Sequence, residues 1–244
     1  MIYSSRWTRF IIVILLLILL LEFHNSDNRL MSASSSSNQS VLSNSFFTTA
    51  KILVTSQLPY EARLIDIGSV NPNIILDIRY ATENNFLHRK LYPMARCLLR
   101  GAAAKRLSQV QDYLETKGLG LKVFDCYRPL SVQRLMWEVL PDPRYVANPE
   151  RGSRHNRGAA VDLTLVDSNG KELEMPTDYD DFTKQAHRDY NGASAEAMRN
   201  RQLLEEAMQQ YGFIPLSTEW WHFDDPDWNK FSILDLSFEK IPFK

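Results

Sequence analysis

The stretch "SRHNRGAAVDLTLVD", residues 153–167, constrains this chain more than any other. Its second half, 159–167, is a short run of small and apolar residues closed by Ser168-Asn169-Gly170, which reads as a β-strand ending in a turn. Its first half places His155 and Asp162 seven residues apart, with Gly158, Ala159 and Ala160 between them. A purely structural account has to explain each of these choices separately. A metal site explains them together, given a third ligand elsewhere. The residues of little bulk let the backbone pass close to a metal or to a neighbouring strand.

The rest of the pattern sets the fold class. Residues 64–82 alternate β-branched and turn residues and read as strand, turn, strand. Over 100–117, Ala103, Leu107, Val110 and Leu114 fall on one helical face, with Gly118 as the stop. Residues 121–125 form a short strand, "CYRP" turns the chain, and 130–140 is a second helix closed by Pro141. A third helix spans 194–212, with Ser194 as N-cap and Gly212 as stop. The aromatic stretch 217–224 is strand-like. Strands and helices mix without a regular βαβ rhythm. The expected class is α+β, a mostly antiparallel central sheet flanked by helices.

Composition trims the region that has to fold. Residues 10–21 are an unbroken apolar run of twelve, preceded by Arg6 and Arg9. That length suits a secretory signal core and is short for a membrane span of about 20 residues. Residues 1–24 therefore read as a signal peptide or an uncleaved signal anchor, the one expected contact with a membrane. Residues 25–50 are rich in Ser and Asn and read as a disordered tether. Residues 51–244 are long enough for one domain with a true core. The net charge is −1 with scattered basic residues, so no nucleic-acid partner is expected. Two cysteines, Cys97 and Cys126, exclude a thiolate zinc knuckle. Whether they pair is left open, and the sequence carries no signal of an oligomeric state.

Three groups of residues carry chemistry. His155 and Asp162 lie in "HNRGAAVD", Glu219 and His222 in "EWWH", and Arg128 in "DCYRP". A catalytic zinc site takes three ligands from His, Asp or Glu and keeps one open position. His155, Asp162 and His222 supply that set for one Zn2+ per chain. Glu219, a carboxylate outside the ligand set, is placed to take a proton from water and pass it to a leaving amine. Arg128 is a fixed cation for the oxygen that becomes negative in the transition state. In a flat strand residues three apart face opposite sides, so Glu219 and His222 share a site only if the chain kinks or turns there. Trp220 and Trp221 read as core and pocket wall, and His88 and His187 as surface or supporting hydrogen-bonders.

With these residues in hand, the chain resembles the zinc D-alanyl-D-alanine dipeptidases of the VanX type. "DIRYATENNF" (77–86), "DCYRP" (125–129), "SRHNRGAAVDLTL" (153–165), "MPTDYDDF" (175–182) and "STEWWHF" (217–223) match family segments in order, over roughly residues 60–225. The resemblance implies a fold shared with Hedgehog domains and D,D-peptidases, with zinc on His155, Asp162 and His222. It makes Glu219 the base and Arg128 the oxyanion stabiliser. Asp180 falls where the family anchors a free ammonium, and Ser153 and Tyr80 are expected to line the pocket. Two departures stand out. Pro176 follows Met175 and Cys126 precedes Tyr127, both where the family commonly has glycine.

The expected activity is hydrolysis of D-alanyl-D-alanine to free D-alanine. With an export segment, it is expected in the periplasm or cell envelope, acting on dipeptide from cell-wall turnover or recycling. Alternatives are a D,D-carboxypeptidase or endopeptidase on intact peptidoglycan, and a non-catalytic zinc-binding module of the same fold. A module without turnover has no use for Glu219 or Arg128.

Overall fold

A computed structural model describes residues 58–242 of the chain. The expectations for residues 1–24 and 25–50 lie outside the described residues. Among the described residues there are seven strands: β1 (Leu64–Asp66), β2 (Ile75–Leu76), β3 (Leu98–Arg100), β4 (Leu119–Asp125), β5 (Ala160–Asp167), β6 (Ile214–Pro215) and β7 (His222–Asp224). The same described residues hold three α-helices: α1 (Gly101–Glu115), α2 (Leu130–Val139) and α3 (Ala195–Gln210).

The main sheet has the order β2-β4-β5-β7-β6. Only β2 and β4 run parallel; the other neighbours are antiparallel. A second, two-stranded antiparallel sheet joins β1 to β3. The α+β class is the one the sequence implies. The reading of 64–82 as two strands about a turn holds, but β1 and β2 are not partners. Each belongs to a different sheet.

Helix α1 forms where its apolar stripe demands. Ala103, Leu107, Val110 and Leu114 are all fully buried, and α1 packs on β4 and α3. The helix gives way before Gly118, whose φ of 72° suits a residue without a Cβ. At the start of α3, Ser194 Oγ accepts a hydrogen bond from Ala197 N at 3.0 Å, the expected N-cap.

The strand expected over 217–224 shrinks to β7. The backbone upstream is committed elsewhere: Glu219 N donates to Leu216 O, Leu216 N to His222 O and Trp220 N to Ala186 O. Those bonds make a turn through residues 217–221, so the chain does turn at Glu219 before the strand begins. Cys97, just before β3, and Cys126, just after β4, form a disulfide.

Candidate active site

The site is assembled by strand register. Asp162 of β5 lies directly opposite His222 of β7, and on its other side opposite Asp125 at the end of β4. Three polar residues thus stand abreast across three strands. His155 enters from a 3-10 turn, residues 155–157, that leads into β5. Gly158 closes that turn at φ 67°, and its carbonyl accepts from Arg100 N of β3 at 2.8 Å. A Cβ on Gly158 would sit 2.4 Å from Leu64 Cδ2. The small residue is therefore required by the approach of the β1–β3 sheet.

His155, Asp162 and His222 each offer one ligand atom, and these atoms lie within 4.8 Å of one another. The facing atoms are closer still. His155 Nε2 is 3.1 Å from His222 Nδ1 and 3.3 Å from Asp162 Oδ1, and His222 Nδ1 is 3.0 Å from Asp162 Oδ1. A tetrahedral zinc site with bonds of about 2.0–2.1 Å sets its donors roughly 3.3 Å apart. The spacing and the donor types fit such an ion.

Each ligand is also held from behind. His155 Nδ1 lies 2.7 Å from Cys126 O, His222 Nε2 lies 2.9 Å from Asp224 Oδ1, and Tyr179 OH donates to Asp162 Oδ2 at 2.9 Å. Such contacts fix which imidazole nitrogen faces the centre. Burial alone would lower the basicity of His222. Its bonds to Asp162 and Asp224 outweigh that and raise its pKa to about 10. Burial disfavours the Asp162 carboxylate, but the two imidazoles overcome this and hold its pKa below the usual range.

Glu219 Oε2 stands 4.0 Å from His222 Nδ1, beside the cluster and outside it. Burial, with Asp162 adding to it, raises its pKa to about 7. Arg128 is held rigidly. Its Nε and Nη2 donate to Asp125 Oδ2 at 3.0 and 2.7 Å, and its Nη1 donates to Gln133 Oε1 at 3.0 Å. Of the five N–H donors of a guanidinium, three are engaged and two remain.

All eight residues expected from the sequence line one cavity of about 310 Å3, namely Tyr80, Arg128, Ser153, His155, Asp162, Asp180, Glu219 and His222. Asp180 adopts φ 62°, an uncommon conformation for a residue with a side chain. Tyr80 OH donates to its carboxylate at 3.0 Å. Enclosure, and then the charge of Asp162, push the Asp180 carboxyl well above its usual range. Of its neighbours, Asp178 is exposed and Asp181 accepts from Thr183 N at 2.9 Å. Ser153 is a turn residue as well as a lining residue, its Oγ accepting from Asn156 N at 3.2 Å. Trp220 and Trp221 are buried, and Trp221 forms part of the wall.

The supporting groups were missed in the sequence. Asp125 is fully buried and accepts from Arg128, Cys126 N and Tyr92 OH. Asp224 lies two residues after His222, hence on the same face of β7, and that spacing was a usable signal. Tyr179 had no such mark.

Two imidazoles and a carboxylate converging in a buried cleft, with a poised base and a fixed cation beside them, define a metallopeptidase. The chain belongs to the peptidase M15 family described as D-ala-D-ala dipeptidase, whose profile matches residues 60–240. It is 36% identical to a D-alanyl-D-alanine dipeptidase of Escherichia coli (strain K12) over 175 residues, 72% of this chain and 91% of that protein. A D-alanyl-D-alanine dipeptidase of Enterococcus faecium is 30% identical over 174 residues, 62% of this chain and 86% of its own. Among solved structures, the LD-carboxypeptidase LdcB is similar at TM-score 0.35 and 21% identity, covering 59% of this chain and 70% of that one.

Proposed function

We propose that this chain is a zinc-dependent dipeptidase that splits D-alanyl-D-alanine into free D-alanine outside the cytoplasm, in cell-wall peptide turnover. The observation that carries the reading is the convergence of His155, Asp162 and His222 ligand atoms within 4.8 Å, with Glu219 alongside. The names of the relatives supply the substrate. The Cys97–Cys126 disulfide suits an oxidising compartment, and residues 1–24 and 25–50 are proposed as export segment and tether.

His155, Asp162 and His222 would hold the ion. When bound, zinc supplies Lewis acidity, polarising the scissile carbonyl and lowering the pKa of water toward 7. The chain's own residues do the rest. Glu219, with its pKa near neutrality, accepts the proton of the attacking water and returns it to the leaving amine nitrogen. Arg128 turns its two remaining donors toward the developing oxyanion. Its engaged donors keep it from reorganising as the charge forms. Asp180 pairs with the free ammonium of the substrate, and Tyr80 orients it. A cation arriving there offsets the cost of the enclosed carboxylate. Ser153 lies on the same wall, its hydroxyl proton available to substrate.

The test is hydrolysis of D-Ala-D-Ala, L-Ala-L-Ala and N-acetyl-D-Ala-D-Ala in parallel by zinc-loaded protein. The first should be cleaved and the acetylated form spared. Equal rates on the acetylated form would favour a carboxypeptidase. Glu219→Ala should keep its zinc and lose at least about 100-fold in kcat, the low end of general-base contributions. Full activity in that variant discards the mechanism.

A further inference from the structure

The cavity has an acceptor for one end of a dipeptide and, so far, nothing for the other. We propose that Arg154 holds the C-terminal carboxylate of the substrate, so that the site measures its ligand by both charged ends. This rests on the dipeptidase reading above.

Arg154 immediately precedes His155 and lines the same cavity. Its Nε lies 3.4 Å from Asp224 Oδ2, and its guanidinium sits over the Trp228 ring with Cζ 4.8 Å from the centroid. Nε is buried without a hydrogen-bond partner. Neither Nη atom bonds any group among the described residues, yet the side chain is 43% exposed. The head is thus positioned by a counter-ion and a ring while its donor pair stays open.

The other cations of the cavity are engaged. Arg128 has both Nη atoms bonded, Nη2 to Asp125 and Nη1 to Gln133, and its two remaining donors are assigned above to the oxyanion. Arg144 is paired through Nε with both oxygens of Asp142, at 2.9 and 3.0 Å, and lies over Tyr145. Among the described lining arginines, only Arg154 has neither Nη atom hydrogen-bonded. A guanidinium with two open N–H groups side by side matches a carboxylate in a way that a point charge does not.

Placement supports the assignment. Asp180 accepts from Tyr80, whose hydroxyl is 3.4 Å from that of Tyr179. Tyr179 donates to Asp162, Asp162 faces His222, His222 meets Asp224, and Asp224 faces Arg154. The acidic and basic anchors are therefore the two ends of one polar chain that passes through the ligand cluster. A zwitterion with its peptide bond at the cluster has its ammonium toward one end and its carboxylate toward the other. A chain extended at either terminus loses one of these pairings, which selects for dipeptides.

The test uses zinc-loaded protein carrying Glu219→Ala, so that binding is read without turnover. Calorimetry compares D-Ala-D-Ala with its C-terminal amide. The free acid should bind more tightly by about 10- to 100-fold, the scale of a charge-assisted hydrogen bond. Adding Arg154→Ala should abolish that difference and leave the affinity for the amide unchanged, while Arg154→Lys should keep part of it. Equal weakening of both ligands, or of neither, overturns the assignment. The dipeptidase reading stands or falls separately, on hydrolysis of D-Ala-D-Ala by the unmodified protein. Turnover there with an undiminished acid preference in Arg154→Ala would remove Arg154 alone.

Discussion

His222 is fixed from two sides, by Asp162 at one ring nitrogen and Asp224 at the other. Removing the rear partner frees the ring to rotate and to change tautomer. Asp224→Ala should weaken zinc binding by about 10- to 100-fold, measured by competition with a coloured chelator. The same two carboxylates give a pH dependence of known sign. Without metal, His222 has its pKa raised from 6.5 to about 10. Its contribution to the metal-free fold is then full below pH 6.5 and is lost as the pH rises through about 10. Metal needs the nitrogen unprotonated, so zinc affinity moves the other way and strengthens with pH. The melting temperature of zinc-loaded protein should pull away from that of metal-free protein between pH 6 and pH 9. Parallel curves over that interval would contradict a charged His222 in the metal-free state.

Among the elements, those with a strong period were legible and those built by pairing were not. Helix α1 declares itself through four residues that all end up fully buried. Strand β5 declares itself through an apolar run with an aspartate at its third position. Strands β2 and β6 are two residues each, and no period exists at that length. Which strands pair is a long-range matter, so the separation of β1 from β2 had no local sign. The convergence of His155, Asp162, His222 and Glu219 on one cavity was readable because few residue types serve the chemistry expected of them. Asp125 was not, because a buried acid paired with an arginine looks like any other aspartate until Arg128 is seen beside it. The structure holds Gly158 to glycine twice over, by its positive φ and by its contact with Leu64. Gly158→Ala should cost at least about 1 kcal/mol for the backbone conformation alone, with overpacking adding about 1–3 kcal/mol. Urea denaturation with an unchanged m-value would read that loss.

Across the whole molecule, the disulfide and the candidate metal site meet at one residue. Cys126 is bonded to Cys97 through sulfur, while its carbonyl lies against His155 Nδ1. The bridge spans 29 positions, a loop whose closure stabilises by roughly 3–4 kcal/mol. Cys97→Ala with Cys126→Ala should lower stability by that order and also loosen zinc, seen as faster loss to a chelator at temperatures where the fold persists. A bridge that served stability alone would leave the chelator rate untouched. The pairing of Asp162 opposite His222 has a consequence of its own. Moving β7 along β5 by a single step would turn His222 to the far side of the sheet, and the molecule would keep all three donors while gripping nothing. A fully loaded ion is therefore a certificate of alignment, and the fraction of a preparation that takes up zinc counts the molecules that have threaded this edge of the sheet in step.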